Sequence, residues 1–295
     1  MKPARFDYVR AESVAHALEV LAQHGGEAKI IAGGQSLMPM INFRLVKPAV
    51  LVDINRIFGL EVIEDRGERL HMGALARHRM TASDAVISRK LPVLHDVMHY
   101  VAHMTVRNRG TFCGSVCHAD PAAEMPMIVQ MFDGEVEIAS AGGRRVLPAS
   151  EFLVGSMVNA LEPDEMVTGI TIGTSRPNEG WAFEEFSRRH GDFAMSAIAV
   201  TFHADDEGAI RNARIGMTGV GETAMRMPGL EALVEGRQPD DALLSDMAQW
   251  LHDTLTPNTD IHASADYRRH LSGVLAGRAI RKAHARALDL RQVAS

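Results

Sequence analysis

The sequence predicts an α+β protein made of a small α/β unit, a larger α+β unit and an α+β C-terminal domain with a short antiparallel sheet and helices. Three observations support this fold class. The chain of 295 residues is long enough for more than one domain, each with its own core. Helix and strand patterns alternate over the first 55 residues, and short strands separated by turns follow. Towards the C-terminus a run of strands precedes a run of helices, which is typical of α+β folds.

The first unit is predicted over residues 1–55. Apolar side chains recur at three- and four-residue steps over 13–23 behind Ser13, which is the pattern of an amphipathic helix with an N-cap. The pair Gly25-Gly26 ends this helix. The other predicted elements are a strand at 28–32, a turn at Gly33-Gly34, a helical or irregular segment at 37–45 and a strand at 49–54.

The second unit is predicted over residues 56–175, so that the first two units form one domain, 1–175. Helices are expected from about 80 to 103, and the apolar run at 125–132 is typical of a buried helix. Ala141-Gly142 separates two alternating segments and therefore predicts a β-hairpin. The strands expected in this unit are 60–64, 69–74, 135–139, 143–147 and 166–172.

Residues 176–295 are predicted to form a separate C-terminal domain. The segment 174–180 combines Ser, Pro, Asn and Gly, a composition typical of a linker. In the last predicted helix the basic run 278–286 is interpreted as a solvated or partner-facing surface. The expected elements are strands at 196–203 and 209–220 and helices at 228–235, 240–255 and 264–288.

Composition excludes several classes of protein. A hydrophobic content of 46% with 23% charged residues is that of an ordinary globular protein. The net charge of -6 argues against a nucleic-acid partner, because neutralising phosphates demands a basic surface. No stretch approaches the roughly 20 apolar residues of a membrane span, and the N-terminus lacks the apolar core of a signal peptide. We therefore expect a cytoplasmic protein without a membrane span.

Two groups of potential metal ligands each allow two interpretations. Cys113 and Cys117 are too few for a disulfide scaffold or for an iron–sulfur cluster held by this chain alone. They are either small side chains tolerated in a tight turn or a thiol pair close to a redox cofactor. His95, His99 and His103 recur every four residues, so they are expected to share one helix face. That face is either a metal site or a solvated or partner-facing stripe.

The most informative stretch is 105–124, which places Gly, Thr and Ser in a tight turn between Arg and Asp residues. Backbone N–H groups with nothing bulky in front of them, followed by a helix N-terminus, are suited to an anion such as phosphate. A second stretch of this kind, 32–37, lies early in the chain. Two separate glycine turns indicate two contacts with one ligand that carries a pyrophosphate.

With both turns in view, the chain resembles the FAD-binding, medium-sized subunit of the molybdenum hydroxylases. This family includes xanthine dehydrogenases, bacterial carbon monoxide dehydrogenases, and nicotine, nicotinate and purine-alkaloid dehydrogenases. The resemblance covers almost the full length, and four or more blocks in one order are strongly specific. The blocks are Phe6-Asp7-Tyr8, Ala32-Gly33-Gly34-Gln35-Ser36-Leu37-Met38-Pro39, residues 105–124, Arg188-Arg189-His190-Gly191-Asp192-Phe193-Ala194 and Ala265-Asp266-Tyr267-Arg268.

The resemblance implies a set of FAD contacts. Two turns reach the pyrophosphate through backbone amides, two acidic side chains lie near the adenosine portion, and three apolar or aromatic side chains lie beside the flavin rings. The residues for the first turn are Lys29, Ile30, Ile31, Ala32, Gly33, Gly34, Gln35, Ser36 and Leu37, and those for the second are Gly110, Thr111, Cys113, Gly114 and Ser115. The acidic residues are Asp120 and Glu124, and the ring-facing residues are Val101, Val167 and Phe193.

Two positions depart from the family pattern. Cys113 stands where the family usually has the first glycine of a pair, so the backbone there must accept a Cβ atom. Glu185 stands where many relatives carry a Lys that touches the cofactor. This exchange of a cation for an anion gives no basis for assigning Glu185 a binding role, and it leaves the electron acceptor open.

The implied function is electron transfer within a larger complex. A large subunit with a molybdenum cofactor hydroxylates the substrate, and a small subunit with two [2Fe–2S] clusters relays the electrons. This chain collects them on FAD and passes them to an external acceptor, in a complex expected to be a dimer of heterotrimers. No side chain of this chain is expected to act as a nucleophile, a general acid or a metal ligand.

Two alternatives remain from the residues alone. A stand-alone FAD-dependent oxidoreductase needs catalytic polar groups in the C-terminal domain, where the candidates are His190, Glu222 and His262. A cofactor-free assembly or binding protein of the same fold is favoured by Cys113 and disfavoured by the intact glycines. The substrate of the complex is not readable from this chain, because hydroxylation is assigned to another polypeptide.

Overall fold

The computed structural model describes residues 2–294, and its N-terminal unit is built on a three-stranded parallel sheet. Its elements are β1 (Asp7–Arg10), α1 (Val14–His24), a 3-10 turn (Gly25–Glu27), β2 (Ala28–Ile31), α2 (Leu37–Asn42) and β3 (Val50–Asp53). The strand order is β1-β3-β2. Ser13 starts α1 because its hydroxyl oxygen accepts the His16 N–H at 3.1 Å. Gly25 ends the helix with φ +53°, a left-handed conformation that favours glycine.

The central unit is built on a five-stranded antiparallel sheet. Its strands are β4 (Ile63–Asp65), β5 (Arg69–Gly73), β6 (Glu135–Ser140), β7 (Gly143–Pro148) and β10 (Met166–Gly173), with a separate short hairpin of β8 (Leu153–Gly155) and β9 (Val158–Asn159). The strand order is β4-β5-β10-β6-β7. The predicted hairpin is confirmed, since β6 and β7 pair from Glu135 opposite Pro148 to Ser140 opposite Gly143.

Seven short helices belong to this unit. They are α3 (His78–Ser83), α4 (Ala85–Lys90), α5 (Pro92–Val97), α6 (Met104–Arg107), α7 (Phe112–His118), α8 (Glu124–Met131) and α9 (Ala149–Phe152). Of these helices, α7 and α9 pack on the sheet of the unit, and α5 and α8 face the C-terminal sheet. Asp84 caps α4 by accepting the N–H groups of Val86 and Ile87, and Pro92 starts α5. Helices between 80 and 103 are therefore confirmed. The expected common helix face for His95, His99 and His103 is wrong, because α5 ends at Val97.

The C-terminal unit is a four-stranded antiparallel sheet covered by three helices. Its elements are β11 (Gly180–Phe186), β12 (Ser196–Ala204), β13 (Ile210–Thr218), β14 (Met225–Arg226), α10 (Pro228–Val234), α11 (Asp241–Thr254) and α12 (Ala265–Ala294). All three predicted helices are confirmed, whereas the sequence did not predict β11. A Cβ atom on Gly180 would lie 2.0 Å from the Ala283 carbonyl oxygen, so glycine allows α12 to pack directly on β11.

Side chains of β12 contribute to two different cores. Ala197 and Ala199 pack with the central helices, whereas Ile198, Val200 and Phe202 pack with α10, α11 and α12. Alternate residues of a strand point to opposite faces, so the C-terminal sheet is covered on both sides. The central and C-terminal units therefore share an apolar interface.

The basic run 278–286 is only partly a solvated surface. Ala279, Ile280 and Ala283 are buried against the C-terminal sheet. Arg281 pairs with Asp241, Lys282 with Glu184, and Arg286 with Asp96 at 2.9 Å. Within residues 2–294 no helix is both long and apolar enough to cross a bilayer.

Candidate functional site

The two glycine turns lie against each other, although they are far apart in sequence. A Cβ atom on Gly33 would lie 2.4 Å from the carbonyl oxygen of Arg109 and 2.8 Å from the Cα atom of Gly110. Real Cβ atoms do not approach backbone this closely, so any side chain at position 33 would separate the turns. The fold thus combines the first turn (Gly33-Gly34) and the segment Gly110–Ser115, here called the second turn, in one site. The tight turn predicted for this segment is confined to Gly110 and Thr111, because Cys113, Gly114 and Ser115 lie in the N-terminal part of α7.

Backbone donors of the first turn have no protein partner. The N–H groups of Gly33, Gly34, Gln35 and Ser36 meet no hydrogen-bond acceptor among residues 2–294. Gly34 adopts φ +70°, which turns the chain sharply between β2 and α2. Unpaired N–H groups converging in a turn form an anion-binding concavity. Of the other predicted residues, Lys29 is exposed, and Ile30, Ile31, Ala32 and Leu37 are half-buried around this turn.

The second turn is organised by Thr111, which caps α7. Its Oγ1 accepts the Gly114 N–H at 3.1 Å, and the residue is only 2% exposed. A Cβ atom on Gly114 would lie 2.5 Å from this oxygen, and one on Gly110 would lie 2.8 Å from the imidazole of His78. Both glycines are therefore required by the packing of the turn. The hydroxyl hydrogen of Thr111 stays available to a ligand, and the half-buried Ser115 lies on the following helical turn.

Arg77 joins the two turns, a role that the sequence did not reveal. Its guanidinium donates to the carbonyl oxygen of Arg109 and to Oδ1 of Asn55. Asn55 in turn donates to the Ala32 carbonyl oxygen at 2.8 Å. The charge of Arg109 and burial lower the pKa of Arg77, with burial the larger cause. Nothing in the pattern around a single Arg or Asn distinguishes these residues before the fold is known.

His78 lies directly beneath the second turn. Its backbone N–H donates to the Gly110 carbonyl oxygen at 3.0 Å, and its ring is 5% exposed. Burial, together with the charges of Arg107 and Arg77, lowers the pKa of His78 to about 4. The imidazole is therefore neutral near pH 7 and supplies packing rather than charge.

The two arginines just before the second turn, Arg107 and Arg109, behave differently. Arg107 donates to the carbonyl oxygens of Val101 and Ala102, each at 2.8 Å, so it fixes the loop before α6. The exposed Arg109 side chain has no hydrogen-bond or ion-pair partner in the described part of the chain. Of Arg107 and Arg109, it is therefore Arg109 that can attract a phosphate by its charge.

Neither thiol carries a negative charge near neutral pH. Cys113 is 2% exposed, and its Sγ donates to the carbonyl oxygens of Met72 and Gly73 at 3.3 and 3.5 Å. Burial raises the pKa of the Cys113 thiol well above its usual value and that of Cys117 to about 12. The core accepts the extra Cβ atom, and a ligand in the turn can meet only the backbone of Cys113. These facts favour the packing interpretation over a redox-active thiol pair.

A cavity of about 600 Å³, here called the junction cavity, lies between the central and C-terminal units. It brings together two predicted residues, Asp120 and Phe193, with Phe193 59% exposed. Asp120 is 7% exposed and its Oδ1 accepts the Ala122 N–H at 2.8 Å. Other side chains on its wall are Met157, Arg188, Met195, Asp260, His262 and Arg268.

Arg268 holds the wall of the junction cavity. Its Nη1 donates to the carbonyl oxygens of Met195 and Gly219 at 2.7 and 2.9 Å, and its Nη2 pairs with Asp260 at 2.8 Å. Gly219 has φ +81° and donates its N–H to the Pro121 carbonyl oxygen at 2.8 Å. The loop at Gly219 thus connects the last helix, α12, with the central unit.

The remaining predicted residues are buried. Val101 and Val167 are 7% and 6% exposed and belong to the same central core. Glu124 is 6% exposed at the start of α8, where burial raises its pKa to about 7. All three side chains lie in the central unit.

The histidine stripe does not form a metal site. The rings of His95 and His99 meet edge to face at 5.4 Å, whereas His103 lies against Gly191 of the C-terminal unit. Among the described residues no three His, Cys, Asp or Glu side chains are placed to hold a metal ion.

Comparison with known proteins identifies an FAD-binding domain in this chain. Residues 4–175 match the FAD binding domain in molybdopterin dehydrogenase, and residues 181–283 match the carbon monoxide dehydrogenase flavoprotein C-terminal domain. The chain is 41% identical over 291 residues to the 6-hydroxypseudooxynicotine dehydrogenase complex subunit alpha of Paenarthrobacter nicotinovorans, with 97% of both chains covered. It is 37% identical to the caffeine dehydrogenase subunit beta of Pseudomonas sp. (strain CBB1), with 98% of both covered.

A solved structure agrees over the whole chain. Carbon monoxide dehydrogenase from Hydrogenophaga pseudoflava superposes with a TM-score of 0.92 at 32% identity, covering 97% of this chain and 99% of the other. The fold and these matches define an FAD-binding oxidoreductase subunit. The chain belongs to the family of FAD-binding medium subunits of the molybdenum hydroxylases.

Membership decides between the three functions left open by the residues. The chain is the FAD-binding medium subunit of a multi-subunit molybdenum hydroxylase, with large and small subunit partners. The molybdenum cofactor and the iron–sulfur clusters of such complexes are carried by those partners. The stand-alone oxidoreductase and the cofactor-free protein are not supported.

Proposed function

We propose that the two touching glycine turns bind the pyrophosphate of FAD. The observation that carries this proposal is the backbone contact between Gly33 and Gly110, with unpaired N–H groups on the first turn. The residues assigned to the pyrophosphate are Lys29, Ile30, Ile31, Ala32, Gly33, Gly34, Gln35, Ser36, Leu37, Gly110, Thr111, Cys113, Gly114 and Ser115.

The rest of the cofactor extends from the turns towards the junction cavity. Asp120 and Glu124 accept hydrogen bonds from the ribose or adenine, while Val101, Val167 and Phe193 pack beside the flavin rings. The exposed ring of Phe193 offers a face for stacking. Bound FAD supplies the redox chemistry, because flavin accepts electrons singly and releases them in pairs.

The side chains of this chain position FAD and take no covalent part. Thr111 donates its hydroxyl hydrogen to a phosphate oxygen, and Arg109 and Arg77 attract the diphosphate by their charges. The apolar interface between the central and C-terminal units excludes water from one side of the site. The electrons come from the [2Fe–2S] clusters of the small subunit and leave to an external acceptor.

The proposal also covers the domain boundary, the assembly of the complex and its location in the cell. We place the boundary between the FAD-binding domain and the C-terminal domain at 175/176, in the segment before β11, with subdomains 1–55 and 56–175. The complex is proposed to be a cytoplasmic dimer of heterotrimers. Two unpaired cysteines agree with a reducing compartment.

A glycine substitution tests the turn assignment. In Gly33→Ala the new methyl group collides with the Arg109 carbonyl and separates the turns, so we expect FAD to bind about 100-fold more weakly. FAD content is measured from the flavin absorption bands of the purified chain, and affinity by fluorescence titration. Gly26→Ala is the matched control, because nothing lies within 4 Å of its added Cβ atom. Unchanged FAD binding in a folded Gly33→Ala chain contradicts the assignment.

A further inference from the structure

Three carboxyl groups lie where the central and C-terminal units join. Glu124 is the first residue of α8, Asp120 lies in the loop just before that helix, and Glu185 lies in β11. The Thr218 hydroxyl of β13 donates to the carbonyl oxygens of Pro121 and Ala123 at 2.7 and 3.0 Å, which holds the 120–124 segment on the C-terminal sheet. Glu185 pairs with Ala197 of β12, which pairs with Thr218.

No cation neutralises these groups. Glu124 is 6% exposed, and Oε2 of Glu185 is buried with no hydrogen-bond partner. Within residues 2–294 neither Glu takes part in an ion pair. The nearby guanidinium of Arg268 is committed to Asp260 and to two carbonyl oxygens. A buried carboxylate without a partner is costly, and such a group normally binds a proton instead.

The surroundings of the two Glu side chains explain their proton affinity. Burial, with a contribution from Asp120, raises the pKa of Glu124 to about 7. Burial, with a contribution from Glu124, raises the pKa of Glu185 to about 8. From the loop after α5, Tyr100 also faces this region; its pKa is raised by burial and then by the charge of Glu184. Glu184, the neighbour of Glu185 on β11, is instead paired with Lys282 at 3.1 Å.

This carboxyl pair stands directly behind the wall of the junction cavity. Asp120, Pro121, Met195 and Gly219 line that cavity, and Met195 donates its N–H to the carbonyl oxygen of Phe186, the residue after Glu185. Ligand binding at this wall therefore changes the surroundings of the pair. An anionic ligand in the cavity excludes water and adds negative charge, and both effects favour the protonated form of a carboxyl group.

We propose that Glu124 and Glu185 are two electrostatically coupled buried carboxyl groups at the junction of the two units and that FAD binding at this junction takes up protons through this pair. The inference rests on the proposed FAD site. Its consequence is that FAD affinity falls as the pair ionises, because binding and protonation are thermodynamically linked. The pair acts by positioning the cavity wall, not by contact with the reacting atoms.

The linkage is measured by titrating the FAD-free full-length chain with FAD at pH values from 6.5 to 9. Calorimetry in buffers of different ionisation enthalpy gives the number of protons taken up for each FAD bound. For the natural chain we expect proton uptake at pH 8 and an affinity about fivefold or more weaker at pH 9 than at pH 7. In Glu185→Gln we expect loss of the uptake and an affinity that changes little with pH.

Two further variants keep the test decisive. Glu124→Gln removes the other member of the pair and should also abolish the proton uptake if Glu185→Gln does not fold. Because Glu124 is also assigned a contact with the adenosine portion, its readout is the number of protons taken up and the pH dependence, not the absolute affinity. Glu184→Gln is the matched control, since it removes a carboxylate from the same strand outside the pair and should keep the uptake. FAD binding that is independent of pH, with no proton uptake, overturns this inference alone. A folded chain that binds no FAD at any pH overturns the proposed function as well.

A second readout does not involve FAD. Both carboxyl groups have a pKa above the ordinary value of 4.5, so the folded chain binds more protons than the unfolded chain between about pH 4.5 and 8. The free energy of unfolding, measured with urea, should therefore fall as the pH rises through this window and level off above it. In Glu185→Gln this fall should be smaller. An equally steep fall in both proteins contradicts proton binding by Glu185 in this window.

Discussion

The pair of glycine turns and the junction cavity are built in opposite ways. At the turns the backbone forms the site, and Gly33 and Gly110 are needed because any side chain would prevent the contact. At the cavity, side chains form the wall, and Arg268 holds Met195 and Gly219 in place through its fork of donors. This difference shows that the glycine turns are defined by small residues that can be recognised in the sequence. The junction cavity instead depends on side chains that are far apart in sequence and come together only when the chain folds.

The largest effect in this comparison is expected from removing the support of the side-chain wall. Arg268→Ala leaves two buried carbonyl oxygens without donors, so the free energy of unfolding should fall by about 3 kcal/mol. Urea unfolding of the purified chain measures this change. Arg278→Ala, at an exposed position of the same helix, is the control and should have almost no effect. A loss below about 1 kcal/mol would show that Arg268 is not the support of the wall.

A smaller effect is expected from cutting the bridge between the turns. Arg77→Ala removes the hydrogen bonds to Arg109 and Asn55 and a nearby positive charge, so FAD should bind about tenfold more weakly. Fluorescence titration with FAD gives the dissociation constant. The exposed Arg79 provides the matched control in Arg79→Ala. Equal affinities for the two variants would mean that backbone alone holds the turns together.

The smallest effect is expected at the aromatic side chain of the cavity. Phe193→Ala removes one stacking face, which is worth about 0.5–1.5 kcal/mol and corresponds to roughly three- to tenfold weaker FAD binding. Flavin fluorescence of the bound cofactor should also rise, because stacking on an aromatic ring quenches it. Phe58→Ala, at a side chain that is 94% exposed, is the control. A bound flavin with unchanged fluorescence and affinity would exclude Phe193 from the flavin face.

The elements that the sequence predicted well are those with local causes. The helix behind Ser13, the hairpin around Ala141-Gly142 and the three C-terminal helices follow from caps, turns and periodicity within a few residues. The second glycine turn belongs with them, because Thr111 and Gly114 organise it through a local hydrogen bond. Strand β11 escaped prediction because its adjacent Glu184 and Glu185 hide the pattern. Its strand conformation depends on pairing with β12 along its whole length.

By itself, the sequence determined the fold class, the positions of both glycine turns and, through its motif blocks, the family. Only the tertiary structure decided that the turns touch, that Arg77 and Asn55 bridge them, and that the thiol of Cys113 points into the core. It also decided that Glu124 and Glu185 are placed at the junction without an ion pair among the described residues. The physical reason is the separation along the chain of the residues that interact. Caps, turns and periodicity act between residues close in the chain, whereas burial and pKa shifts arise from groups that only the folded chain brings into contact.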